Sequence, residues 1–299
     1  MEVSAKTEAS KASGYRASAS GMLKYLGVSR SGYRAFLQHK PSPSAQHRYE
    51  IKKQIQTIYD ASFQNYGAPK ITAELHHSGI PIAQRTVGSY MRQMGIRAQW
   101  VKHKTQTTRN SDFRDDLHNV LDENFNPDRP NAVWCTDITY IWTHEDGYVY
   151  LTSIMDLFSR KIIAWTLSDS MDVSCVVDSV NKAKVCRPTV QPLLIHSDRG
   201  SQYVSEAYRQ ATEGMRRSYS HKGYPYDNAC IESFHALIKR ECLNRFSIAN
   251  QKEAYFLVWE YIETFYNTVR IHSHCRYTSP DAFEESYEKR LLQKNNASH

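Results

Sequence analysis

The chain of 299 residues is 40% hydrophobic and carries a formal net charge of +7. That length allows one large domain, or a catalytic domain of about 150 residues with smaller attachments. No apolar run reaches the roughly 18 residues a membrane-spanning helix needs, and residues 1–20, rich in Ala, Ser and Lys, lack the apolar block of a secretory signal. They are expected to form a disordered tail on a cytoplasmic protein. The six cysteines include no C-x-x-C pair, which excludes that kind of zinc or redox motif and leaves them as reduced thiols.

Charge is unevenly placed. Residues 1–110 hold 17 Lys and Arg against 5 Asp and Glu, a balance of +12, whereas the remainder carries −5. A basic first third on a mildly acidic remainder points to a polyanion-gripping module attached to something else, although a solvated basic surface would give the same count.

Residues 22–38 read as two short helices, the first ended by Gly27 and the second capped by Ser29 or Ser31. Residues 46–64 place Ile51, Ile55, Ile58 and Tyr59 at helical spacing. Helices over residues 70–77 and 83–94, parted by a Gly-containing turn, have the order of a helix-turn-helix. In the second, Val87, Met91 and Met94 face inward, while Arg85, Ser89 and Arg92 share the opposite face. A cationic face of that kind is what a recognition helix offers to phosphates and base edges.

The character changes at Ala132. Residues 133–142 alternate Val133, Cys135, Asp137, Thr139 and Ile141 with Trp134, Thr136, Ile138, Tyr140 and Trp142, the pattern of a strand. The Asp146-Gly147 turn signal precedes a second β-rich run over 148–158, and residues 161–167 make a third. A helix is expected over 172–185, then a short buried strand, PLLIH, that stops at Ser197-Asp198. A helix over 205–212, a strand over 216–219, a Gly/Pro loop over 221–228 and a helix over 229–243 follow. This βββαβ order predicts an α/β, ribonuclease-H-like core, preceded by an all-α helix-turn-helix region and followed by a C-terminal helix. That final helix starts at an Asn250 cap with Glu253 in capping-box position. The expected partition is a tail (1–20), a DNA-binding helical region (21–96), a linker (97–129), a catalytic core (130–245) and a helical extension (246–299). No sustained heptad provides a dimerisation zipper.

Breaking a phosphodiester requires an activated nucleophile and a stabilised leaving oxygen, which two divalent cations on a few carboxylates can supply. Asp137 lies mid-strand, Asp198 directly follows a buried strand, and Glu232 falls in the first turn of a helix. Each also has an ordinary explanation as a hydrogen-bonded strand residue, a cap, or a charge favourable to the helix dipole. Asp156, in another apolar strand, and Asp227, just before the helix, compete for membership. From the residues alone, five candidates remain.

The segments Trp134-Cys-Thr-Asp-Ile-Thr-Tyr140, Met155-Asp-Leu-Phe-Ser-Arg-Lys161, His196-Ser-Asp-Arg-Gly-Ser-Gln-Tyr203 and Gly223-Tyr-Pro-Tyr-Asp-Asn-Ala-Cys-Ile-Glu-Ser-Phe234 resemble the bacterial DDE transposases of the insertion sequence three family. The match is to the second-reading-frame (OrfB) product, which carries a retroviral-integrase-like core. It extends upstream to Gly27–Tyr33 and Tyr66-Gly67, and downstream to Tyr266-Asn267, Arg270, His272 and residues 278–283, in the family's order.

The resemblance implies that Asp137, Asp198 and Glu232 are the catalytic, metal-binding triad, with two Mg²⁺ ions for which Mn²⁺ substitutes. Asp156 and Asp227 then become structural. Lys239, seven residues after Glu232 and on nearly the same helix face, would meet DNA phosphates. The implied reaction nicks the element's end and joins the freed 3′-hydroxyl to a second phosphodiester. Terminal inverted repeats would be read by Arg85, Ser89 and Arg92, and target DNA is the second substrate. A homo-oligomer on DNA is expected, together with the upstream-frame product (OrfA) or a fusion to it. One departure stands out: Asp198 and Glu232 are 34 positions apart, two fewer than is usual in the family, with the shortage around residues 211–218. An inactive DNA-binding regulator is therefore the alternative, and a nuclease without joining activity a third, disfavoured by the basic helical region.

Overall fold

The computed structural model describes residues 19–99, 117–187, 193–221 and 224–296. The expected tail up to residue 18, and residues 100–116 of the expected linker, lie outside the described residues. The chain divides into two compact units, residues 1–54 and 55–299.

In the first unit, α1 (Ala19–Tyr25) and α2 (Arg30–Gln38) are parted by Gly27, which takes the left-handed conformation at φ +66°. Ser29 is the cap of α2, its hydroxyl accepting the Gly32 amide. Helix α3 (Pro43–Ala61) starts and ends three residues before the expected bounds. Pro43 sits where a first-turn proline costs no hydrogen bond, and Phe63 and Gln64, at φ +53° and +66°, have left the helical region.

The second unit contains α4 (Ala68–His77) and α5 (Gln84–Met94), with Gly79 at φ +78° in the turn between them. Val87 and Met91 are buried, Met94 is half-buried, and Arg85 and Arg92 are exposed, as the helical period predicts.

The sheet has β1 (Val133–Thr143), β2 (Gly147–Asp156), β3 (Ile162–Ser168), β4 (Leu194–Ser197) and β5 (Arg216–Tyr219) in the order β3-β2-β1-β4-β5. The first three form an antiparallel meander turned at Gly147 (φ +74°), while β4 and β5 run parallel to β1. Between β3 and β4 crosses α6 (Val173–Cys186), whose buried face of Cys175, Val176, Ser179, Val180 and Ala183 covers one side of the sheet. The core there joins Trp134, Ile154, Ile163, Ile195 and Tyr203. Between β4 and β5 lies the short α7 (Glu206–Ala211), capped by Ser205.

A 3₁₀ turn over Pro225–Asn228 leads into α8 (Ala229–Glu241). Asn250 caps α9 (Gln251–Trp259), accepting the Glu253 amide at 3.1 Å, while Glu253 accepts the Ala249 amide at 2.6 Å. The helix continues as a widened π segment over Glu260–Tyr266, which puts Tyr261, Ile262, Phe265 and Tyr266 all on the buried side. The expectation that this helix is the last is corrected by α10 (Pro280–Asn296), anchored where Phe158 meets Phe283 and Tyr287 with ring centroids 5.0 Å apart in each case.

The end of α8 is locked from below. Glu241 receives Arg270 Nε and Nη2, both at 2.7 Å, and the Tyr261 hydroxyl at 2.8 Å. Nearby, the Ile271 amide donates to the Tyr66 hydroxyl at 2.9 Å, tying the residues ahead of α4 to the segment after α9. Among the described residues, no helix is long and apolar enough to cross a membrane.

Candidate active site

Strand β1 pairs in parallel with β4 from Val133↔Leu194 to Cys135↔His196. Continuing that register by two residues sets Asp198 alongside Asp137. There β4 ends while β1 runs on, which opens a crevice at the carboxyl end of a parallel strand, a common place for binding in α/β sheets. On its other side Asp137 pairs with Ser153 of β2.

The third carboxylate comes from α8, which lays Glu232, His235 and Lys239 along one stripe. His235 Nδ1 is 3.4 Å from Asp137 Oδ2, and Lys239 Nζ sits 4.4 Å from the Tyr140 ring centroid. Glu232, one turn before His235, is exposed, whereas Asp137 and Asp198 are half-buried.

The charges report on one another. Burial, and then the charge of Asp137, push Asp198 up to about 6, against the Gly200 amide that donates to Asp198 Oδ1 at 2.8 Å. Partial burial followed by the charges of Asp137 and Asp198 raises Glu232. Burial lowers Lys239, and the negative charge of Asp137 opposes that shift. Three acids and a lysine therefore share one electrostatic neighbourhood. Among the described residues, no three His, Cys, Asp or Glu side chains converge tightly enough to enclose a metal ion as they stand.

The competing acids are placed elsewhere. Asp156 is fully buried and accepts the Asn131 and Phe158 amides at 2.7 and 2.9 Å, with burial pushing it up to about 6. Asp227 is buried and accepts the His221 amide at 2.6 Å, which ties His221 to the 3₁₀ turn. On α5, Arg85 and Arg92 point to solvent, and half-buried Ser89 accepts from Gln93 at 3.5 Å. Sequence reasoning missed His235 and Tyr140. Only the i+3 offset from Glu232 marked His235, and nothing local marked Tyr140.

Matches to known proteins agree with this architecture. The integrase core domain family matches residues 127–225, a second integrase core domain family residues 213–280, and an HTH-like domain family residues 46–104. The insertion element IS600 uncharacterized 31 kDa protein of Shigella sonnei is 35% identical, over 90% of this chain and 99% of its own length. The transposase for insertion sequence element IS904 of Lactococcus lactis is 36% identical, over 83% of this chain and 99% of its own. Transposase InsF for insertion sequence IS3A of Escherichia coli is 34% identical, over 88% and 92%. A simian T-cell lymphotropic virus intasome, solved with PP2A regulatory subunit B56 gamma, overlaps more loosely at a TM-score of 0.44 and 16% identity, over 77% of this chain and 74% of that one. By its sequence relatives, its helix-turn-helix order and its five-stranded integrase-type sheet, the chain belongs to the IS3 family of insertion-sequence transposases.

Proposed function

We propose that this transposase cuts DNA at the ends of its element and joins the freed 3′-hydroxyl to a second phosphodiester, with Asp137, Asp198 and Glu232 as the carboxylates that hold two Mg²⁺ ions. Mn²⁺ would substitute. One observation carries the reading: the β1–β4 register brings Asp198 beside Asp137, where α8 supplies His235 to Asp137 and Glu232 one turn away.

The donor chemistry fits. Three carboxylates offer only the hard oxygen ligands that Mg²⁺ requires. Burial, reinforced by mutual repulsion, raises Asp198 and Glu232, and a divalent cation offsets both by favouring the charged carboxylates. Closing the site would fall to the exposed Glu232 side chain. Bound there, paired ions supply charge stabilisation to both the attacking and the leaving oxygen of an in-line displacement.

The chain's own groups do the rest. The Gly200 amide fixes Asp198 Oδ1, and His235 braces Asp137. Lys239 offers its positive charge to a phosphate beside the acids. Arg85, Ser89 and Arg92 contact the terminal inverted repeats, with phosphate contacts making affinity fall steeply with salt. We assign residues 21–96 to DNA binding, 97–129 to a linker, 130–245 to the catalytic core and 246–299 to an extension. The protein would work in the bacterial cytoplasm as an oligomer on DNA, with the upstream-frame product or fused to it.

The rival reading, an inactive regulator, rests on the shortened spacing between Asp198 and Glu232. Yet β5 keeps four paired residues against β4, and α8 follows with 13 residues, so the shortage has not cost an element. The test is an Mg²⁺-dependent cleavage and joining assay on labelled element ends, with the upstream partner supplied. Joined product lost in Asp137→Asn, with DNA binding kept, supports the enzyme. Absence of any product from the unaltered chain would sink it, and hydrolysed ends without joining would favour a simple nuclease.

A further inference from the structure

Beyond Asp137 β1 outruns β4, and beyond the Tyr140↔Tyr150 pair it stands with β2 alone as a two-stranded hairpin. On one face of that hairpin Tyr140, Trp142 and Tyr148 are 39%, 55% and 51% exposed, an unusual concentration of large aromatic surface. Trp142 and Tyr148 are direct cross-strand partners. The ring centroids of Tyr140 and Tyr148 lie 5.4 Å apart, and those of Trp142 and Tyr148 4.9 Å, both steeply tilted edge contacts. Lys239 Nζ covers Tyr140 at 4.4 Å, so the cationic residue of the carboxylate site closes one end of the row.

The hairpin tip is tied down, and its acids are engaged. The His144 and Glu145 amides donate to the carbonyls of Ile248 and Ala249 at 3.0 and 2.8 Å. Glu145 accepts from Asn250 Nδ2 at 2.9 Å and Asp146 from the Gln251 amide at 2.7 Å, where the α9 amino terminus favours negative charge. An aromatic row that ends in a lysine, on a fixed support whose nearest acids are hydrogen-bonded at a helix end, is the composition of a single-stranded nucleic-acid surface.

We propose that Tyr140, Trp142 and Tyr148 form a stacking platform for unpaired nucleobases of the DNA strand that runs past the carboxylates, with Lys239 at the phosphate between platform and site. The proposal rests on the functional reading above. At about 3.3 Å per residue, Tyr140 and Trp142 lie roughly 10 and 17 Å along β1 from Asp137 and, by the strand's alternation, on its other face. DNA would reach them round the edge that β4 leaves open and Lys239 spans, a few nucleotides from the bond that is cut. Stacking reads no sequence, because every base presents a π face. The platform would hold frayed strand ends of any composition.

The test uses the full chain and an oligo(dT) probe carrying 5-iododeoxyuridine, at raised salt so that contacts to the basic helical region weaken. Photocrosslinks are expected at Trp142 or Tyr148. Trp142→Ala and Tyr148→Ala should each weaken binding of the oligonucleotide about tenfold, while Trp142→Phe and Tyr148→Phe stay within about threefold. Unchanged binding in the alanine variants, with crosslinks elsewhere, overturns the proposal. So does an alanine effect confined to oligomeric state by light scattering, which would make the face a protein interface. The readout needs no cleavage: loss of Mg²⁺-dependent joining in the unaltered chain with crosslinks retained would overturn the carboxylate reading and leave the stacking surface standing.

Discussion

His235 bridges Asp137 and its strand partner Ser153: Nδ1 is 3.4 Å from Asp137 Oδ2, and Nε2 is 3.3 Å from Ser153 Oγ. A side chain so held orients a carboxylate that would otherwise rotate. Replacing it should cost about 10- to 100-fold in metal affinity, as partners behind a ligand generally do. His235→Ala is therefore expected to raise the Mg²⁺ concentration for half-maximal joining by that factor, and His235→Gln to restore most of it. A lower thermal midpoint with an unchanged Mg²⁺ requirement would assign His235 to packing alone.

Gly200 leaves little room for a side chain. A Cβ there would lie 3.0 Å from Asp198 Oδ1, the oxygen that accepts the Gly200 amide, and would push that carboxylate aside. Gly200→Ala should displace Asp198 and lower joining activity at least tenfold, about 1.4 kcal/mol of barrier, with the circular dichroism spectrum unchanged. Wild-type activity in that variant would show that Asp198 need not stay where the amide holds it.

The Glu241–Arg270 pair is buried and doubly hydrogen-bonded. Burial alone would raise the Glu241 carboxyl, but the hydrogen bonds and charge of Arg270 outweigh it and hold the group below its ordinary value. Glu241→Gln leaves a buried guanidinium without its counter-charge and should cost about 3–5 kcal/mol in denaturant unfolding. The double change to Met at both positions should cost less than Glu241→Gln alone. The reverse order would mean that the pair stabilises through attraction rather than through mutual need.

His272 supplies a pH dependence with a definite sign. Burial, then the neighbouring charge of Arg270, lower it to about 2 from the ordinary 6.5. The unfolded chain thus takes up a proton below pH 6.5 that the folded chain refuses, and stability is lost as pH falls from 6.5 towards 2. The slope from this residue approaches about 1.4 kcal/mol per pH unit. Subtracting unfolding free energies of His272→Gln from those of the wild type between pH 7 and 5 should isolate that slope; a flat difference would contradict it.

Much of this was legible in the sequence, because local signals and tertiary demands agree. The alternation of residues 133–142, the stop of PLLIH at Asp198, and the caps at Ser29 and Asn250 all state locally what the fold does. Helix α10 was missed because its aromatic anchors are Phe283 and Tyr287 against Phe158, its buried Glu284 is held by Ser159 and Arg187 from far off in sequence, and Leu291 and Leu292 stay exposed. Asp156 and Asp137 are indistinguishable as acids within apolar strands. They separate only when the Asn131 and Phe158 amides are seen pointing at Asp156 and the Asp198 strand end is seen beside Asp137. Tyr140 acquires its neighbour Lys239 from 99 positions away, a pairing no window of sequence contains.

Direct binding of Mn²⁺ to the full chain, followed by the loss of the free-ion electron paramagnetic resonance signal, tests the carboxylate assignment without relying on DNA. Asp137→Asn, Asp198→Asn and Glu232→Gln should each weaken binding at least tenfold, about 1.4 kcal/mol, while Asp156→Asn, provided it folds, binds as the wild type does. Wild-type Mn²⁺ affinity in any one of the first three would contradict the assignment of Asp137, Asp198 and Glu232 to a single metal site.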